Sequence, residues 1–63
     1  MKYKELINEC KKRGLTIIED NGEFSVLNKK GVSSKLNSSD MKLYKSGKED
    51  VPDYFLEFLD TLN

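Results

Sequence analysis

The dipeptide Asn21-Gly22 stands between two runs of residues in which apolar side chains alternate with polar ones, 15–20 and 23–28. Asn-Gly is the strongest short signal for a two-residue β-hairpin turn, because both turn positions require a positive φ. Such a turn fixes the strand register, so Ile17 should face Val26. The apolar residues that then share one face of the hairpin are Leu15, Ile17, Phe24 and Val26. We expect this face to pack against helices.

The opposite face of the predicted hairpin is mostly polar but includes Ile18 and Leu27. Two large aliphatic side chains on an uncovered face are a candidate surface for a partner protein or for a homodimer. Dimerisation would also stabilise a core this small. Scattered exposed aliphatic residues are nevertheless ordinary on any protein, so both interpretations stay open.

Helical spacing precedes the hairpin. Tyr3, Leu6, Ile7 and Cys10 recur on one face, and Gly14 follows where a helix C-terminus favours glycine, so the first helix spans about residues 2–13.

After the hairpin, the alternation over residues 32–36 is typical of a short third strand. Residues 37–40 then resemble a cap leading into one or two helical turns at 41–45. Whether the segment 37–50 is ordered without a partner stays open, since it contains few apolar residues.

The last fifteen residues, 49–63, hold five acids and no basic residue. Pro52 suits the first turn of a helix, where its missing N–H does no harm. The spacing places four apolar residues on one helix face, namely Val51, Phe55, Phe58 and Leu62. The opposite face gathers three acids, namely Asp53, Glu57 and Asp60, with Leu56 beside them, too far round to reach the core easily.

The order of these elements predicts an α+β fold, with a β-hairpin or small three-stranded antiparallel sheet packed against N- and C-terminal helices. Sixty-three residues allow one domain, 1–63, with a small core. One cysteine and no histidine exclude an internal disulfide and a structural zinc site. No apolar run is long enough to span a membrane, and the chain opens on an amphipathic helix rather than a signal peptide. We therefore expect a cytoplasmic protein that does not bind membranes.

The segment Lys4-Glu5-Leu6-Ile7, followed by Lys11-Lys12, Gly14 and a hairpin with Gly22 and Phe24, resembles the double-stranded-RNA-binding-like domains, and among them the small HicA-type RNA-cleaving toxins. The resemblance covers about the first half of the chain and implies an α-β-β-β-α domain. That family places its catalytic histidine just after the hairpin glycine, where this chain has Glu23-Phe24. The resemblance therefore implies a binding derivative rather than a toxin.

The chain offers no catalytic constellation, because histidine is absent and with it the commonest general base. We expect no enzyme activity, no metal and no cofactor. Cys10 lies on the apolar row of the first helix, which favours a small buried core residue, while nearby cations leave a reactive thiol as the alternative. The acids Glu19, Asp20 and Glu23 are interpreted as solvated turn residues.

Net charge is zero, but residues 1–36 stand at +3 and residues 37–63 at −3. The hairpin should bring together the cations at the end of the first helix and after the second strand: Lys11, Lys12, Arg13, Lys29 and Lys30. These residues could contact phosphates, so a small nucleic-acid-binding regulator is the alternative function. The same lysines also suit a helix C-terminus and charged turns, which need no ligand.

The acidic stripe supports the main hypothesis, a non-enzymatic protein-binding module. Carboxylates flanking an apolar anchor complement a basic surface, although a solvated helix face is the simpler alternative. A composition rich in Lys, Asn, Glu and Ile is typical of short proteins of AT-rich bacteria and their phages. We therefore expect a phage or mobile-element inhibitor or regulator that mimics nucleic acid and blocks a basic, nucleic-acid-binding surface of a host protein. The expected contact residues are Asp53, Leu56, Glu57, Asp60, Ile18 and Leu27.

Overall fold

A three-stranded antiparallel sheet and three helices make up the domain. The computed structural model describes residues 1–63. Its elements in chain order are α1 (Tyr3–Lys12), β1 (Thr16–Asp20), β2 (Glu23–Leu27), β3 (Ser33–Lys35), α2 (Ser38–Ser46) and α3 (Tyr54–Asp60). The strands lie in the order β1-β2-β3. The predicted α+β class is therefore confirmed, and its third strand is present.

The hairpin forms at the predicted turn and in the predicted register. Asn21 and Gly22 have φ values of 51° and 78°, the two positive angles that a tight turn between twisted strands requires. Ile17 pairs with Val26 across the ladder. On the face shared by these residues, Phe24 and Val26 are buried and Ile17 is half-buried. Each strand is one residue shorter than the apolar pattern suggested.

The segment after β3 is a longer helix than the sequence predicted. The Asn37 side chain accepts a hydrogen bond from the Asp40 N–H at 3.1 Å, so α2 begins at Ser38 rather than at Met41. It ends at Gly47, whose φ of 82° is the left-handed conformation that glycine adopts readily. Met41 and Tyr44 of this helix are buried. Residues 38–46 therefore dock on the core through Met41 and Tyr44.

One hydrophobic cluster joins the three helices to the central strand β2. It comprises nine buried side chains: Leu6, Cys10, Leu15, Phe24, Val26, Met41, Tyr44, Val51 and Leu59. The cluster contains no buried polar or charged residue. Cys10 is one of its members, as its place on the apolar row of α1 predicted.

The predicted apolar face of the final segment is right for Val51, Phe55 and Leu62, which contact the core, and wrong for Phe58. Val51 is buried, but it precedes the helix, and its N–H donates to the Met1 carbonyl at 2.7 Å. Because α3 begins only at Tyr54, Val51 cannot set the rotation of the helix about its axis. Leu59 is the fully buried residue, whereas Phe58 is 38% exposed. Leu56, expected to be an exposed anchor, is half-buried and packs against the core.

This rotation of α3 can be tested by truncating two side chains that are neighbours in sequence. Leu59→Ala should lower the free energy of unfolding by about 2–5 kcal/mol, because it removes a fully buried side chain. Phe58→Ala should lower it by only about 1 kcal/mol, because much of that ring is already in water. Urea titration followed by circular dichroism measures both. A larger loss of unfolding free energy for Phe58→Ala than for Leu59→Ala would show that Phe58 faces the core, as the sequence predicted.

Candidate protein-binding surface

The three acids of the final segment have different surroundings. The Asp60 carboxylate accepts a hydrogen bond from the Arg13 Nε at 2.6 Å. One carboxylate oxygen of Asp53 lies 3.9 Å from the N-terminal ammonium group of Met1. Glu57 is exposed and has no hydrogen bond or ion pair. The predicted stripe is therefore not uniform, since Asp60 serves a contact inside the molecule.

Arg13 connects the first helix to the last. Besides Asp60, its guanidinium donates to the Glu9 carboxylate at 2.8 Å and to the Glu9 backbone carbonyl. The hydrogen bonds that Arg13 donates to Asp60 and Glu9 raise the pKa of its guanidinium, so its charge is fixed. The Asn63 side chain also donates to the Arg13 carbonyl at 2.8 Å. Arg13 thus acts mainly as a structural link between α1 and the end of the chain.

Of the predicted basic end, the structure places one cation, Lys29, against the end of α1. A Cβ atom added at Gly14 would lie 2.2 Å from the Lys29 Cε, so Lys29 lies directly against the end of α1. Lys12 pairs with Glu9 at 3.0 Å, and Arg13 forms ion pairs with Glu9 and Asp60. Three cations of the predicted set are exposed and without an ion pair: Lys11, Lys29 and Lys30.

Two further ion pairs join a residue of the first half of the sequence to a residue of the second half. Lys2 bonds to Asp50 at 2.8 Å, and Lys45 of α2 bonds to Glu19 at the end of β1. The Lys2 hydrogen bond also lowers the pKa of Asp50. Together with the Arg13 contacts, these pairs place opposite charges from the two halves side by side. They reduce the charge separation that the sequence suggested.

An aromatic cleft that no sequence pattern predicted lies between α2, α3 and the end of β3. It has a volume of about 300 Å³, and its apolar lining consists of Leu36, Met41, Tyr44, Tyr54, Phe55 and Phe58. Lys35, Asn37 and Asp40 complete the wall. Tyr54 is 69% exposed, so the cleft opens onto two accessible rings, Tyr54 and Phe58, one turn apart on α3. We call these nine residues the aromatic cleft.

The two aliphatic residues predicted on the outer hairpin face lie there, away from the cleft. The register places Ile18 opposite Ser25 and Leu27 opposite Thr16, on the face that excludes Phe24 and Val26. Ile18 is 39% exposed and Leu27 is half-buried. This face therefore presents a single exposed aliphatic side chain between polar neighbours rather than a broad apolar patch.

Metal-ligating side chains do not converge in this fold. No group of three or more His, Cys, Asp or Glu residues is placed to hold a metal ion. Burial raises the pKa of the Cys10 thiol, which disfavours the reactive thiolate. None of the helices combines the length and the apolar character needed to cross a bilayer.

Comparison with known proteins gives no relative to argue from, since no family model, curated protein or solved structure matches the chain. The resemblance to double-stranded-RNA-binding-like domains thus stays a prediction from the sequence. The case for a function depends on the surfaces described above.

The Arg13 contacts predict a specific pH dependence of stability. Hydrogen bonds from Arg13, and then from Lys12, lower the pKa of Glu9 below its ordinary value of 4.5. As the pH falls through this range, the unfolded chain takes up a proton before the folded protein does, so stability decreases. Arg13→Gln should make that decrease shallower between about pH 6 and pH 3. Urea unfolding at several pH values measures it.

Lys4→Gln is the matched control, because Lys4 is exposed and forms no ion pair. It removes the same charge and should leave the slope of stability against pH as in the parent protein. Equal slopes for the parent and Arg13→Gln would show that the Glu9 contact is not maintained in solution.

Proposed function

We propose that this protein is a non-enzymatic protein-binding module whose α3 surface binds a basic surface of another protein. One observation carries the proposal: α3 exposes two aromatic rings, Tyr54 and Phe58, beside a carboxylate without an internal partner, Glu57. Exposed aromatic residues supply most of the binding energy in many interfaces, and charge steers the encounter. The proposed contact residues are therefore Asp53, Glu57, Tyr54 and Phe58, while Leu56 and Asp60 are assigned to internal packing.

The surroundings of these residues favour a basic partner. Residues 49–63 contain no lysine or arginine, so no cation on this segment neutralises its acids. An acidic surface of this kind can occupy a site that would otherwise contact phosphates. We propose on this ground that the protein acts as an inhibitor or regulator that competes with nucleic acid for its target. The phage or mobile-element origin is an analogy from composition.

Charge reversal on α3 tests the proposal. Asp53→Lys combined with Glu57→Lys should abolish recovery of the target protein from nuclease-treated bacterial lysate by the tagged chain. Asp60 is left unchanged, because it holds Arg13. The new lysines lie near the helix N-terminus and should lower the free energy of unfolding by about 0.3–1 kcal/mol each, which a thermal melt will verify.

The matched control reverses two acids at the hairpin tip, Asp20→Lys with Glu23→Lys. Both are exposed and without an ion pair, so the net charge changes equally. Mass spectrometry should find the same protein with the parent and this control, and lose it with the α3 variant. Recovery of the target by the α3 variant at parental levels would contradict the proposal.

The alternative function, nucleic-acid binding, is favoured by one contact. Lys29 lies against Gly14 at the end of α1, the helix that carries Lys11, and Lys30 is its neighbour in sequence. Three phosphate contacts predict that the logarithm of the binding constant falls with the logarithm of salt concentration with a slope of about −3. Fluorescence anisotropy with labelled duplex DNA and single-stranded RNA measures that slope.

Replacing Lys11, Lys29 and Lys30 with glutamine should remove this binding. The control replaces Lys4, Lys42 and Lys48, which are also exposed and without an ion pair. No binding at low salt, or equal binding by both variants, would exclude the basic end as a nucleic-acid site.

A further inference from the structure

We propose that the aromatic cleft receives an arginine side chain from the basic partner. This inference rests on the proposed function, because it names the residue of the target that the α3 surface takes up. Its basis is the juxtaposition of several aromatic rings with one carboxylate, Asp40, at a cleft open to solvent.

The rings of the cleft stand at steep angles to one another. Tyr44 and Phe55 meet edge to face, with centroids 6.4 Å apart and planes at 87°. Phe55 and Phe58 do the same at 5.5 Å and 75°. In each pair the edge of one ring covers part of the face of the other, so the accessible rings of the cleft are Tyr54, 69% exposed, and Phe58, 38% exposed. Free aromatic faces attract cations through the ring quadrupole, and arginine is the commonest partner.

The cleft wall carries one anion, Asp40, and one cation, Lys35, so the accessible aromatic rings rather than the net charge favour a cation. Asp40 lies in the wall and takes part in no ion pair. Burial raises the pKa of the Tyr44 hydroxyl, and the neighbours that raise it further are Asp40, Tyr54 and Glu49. Lys35 also lines the cleft, but no cation is among the groups that shift the pKa of Tyr44. A phosphate or a carboxylate entering here would meet Asp40.

Arginine suits this combination better than lysine. The guanidinium is planar, so it can stack on a ring while its edge donates two hydrogen bonds to a carboxylate. A lysine ammonium is more strongly hydrated and gains less from an aromatic face. A volume of about 300 Å³ is sufficient for one such side chain.

The test uses small probes rather than the unidentified target. Acetyl-arginine amide is titrated into the protein, and the aromatic and amide resonances of Tyr44, Tyr54 and Phe58 are followed by NMR. Acetyl-citrulline amide is the matched probe, because it has nearly the same shape without the charge. We expect saturable shifts with arginine and an affinity about tenfold lower with citrulline, which corresponds to about 1.4 kcal/mol.

Three variants locate the probe within the cleft. Asp40→Asn should weaken arginine binding to the level of citrulline, whereas Asp20→Asn, which removes an acid outside the cleft, should not change it. Tyr54→Ala should weaken binding about threefold, and it should fold normally because Tyr54 is largely exposed. Lys35→Gln should strengthen binding about twofold by removing a like charge at the edge.

Absence of saturable shifts, or equal affinity for arginine and citrulline, would overturn the inference. Either result leaves the proposed function standing if α3 charge reversal still abolishes target recovery. The opposite result, saturable arginine binding without recovery of any basic target protein, would contradict the proposed function and leave the cleft as an arginine site.

Discussion

Phe24 and Val26, the buried side chains of the central strand, are the surface on which the rest of the fold depends. β2 pairs with a strand on each side, so its backbone hydrogen bonds are satisfied within the sheet. Every helix contributes to the cluster that contains these two residues. With nine buried side chains and no disulfide, the protein has no second core. Any apolar docking surface therefore consists of hydrophobic side chains outside the core, and the largest exposed ones are Tyr54 and Phe58.

The hydrogen bonds of Arg13 fix where the charged surface lies. Through Arg13 they join Glu9 on α1 to Asp60 at the end of α3. Solvent-exposed pairs of this kind add little to stability. Their larger effect is on the charge available to a partner. Arg13 and Asp60 pair with each other, so neither contributes a free charge to the basic end or to the acidic stripe. The charge available to a partner is consequently smaller on both surfaces than the sequence suggests.

Local signals predicted the fold well, and the candidate surface less well. The Asn21-Gly22 turn determines the hairpin register by backbone geometry alone, so the prediction did not depend on distant contacts. The rotation of α3 was missed because the apolar pattern was counted from Val51, although Pro52 and Asp53 precede the helix. The aromatic cleft combines three segments of the chain, so no pattern within one segment could have revealed it. What the sequence did identify was the local excess of acid in residues 49–63.

The rotation of α3 favours recognition over a purely structural role for that helix. A rotation that buried Phe58 would remove a larger apolar area from water than one that buries Leu59. The structure instead buries Leu59 completely and leaves Phe58 at the edge of a cleft with Tyr54. Exposed aromatic rings risk self-association, but carboxylates beside them repel a second copy of the same surface. Acidic residues around Tyr54 and Phe58 therefore disfavour homodimers through α3 and favour a partner of opposite charge.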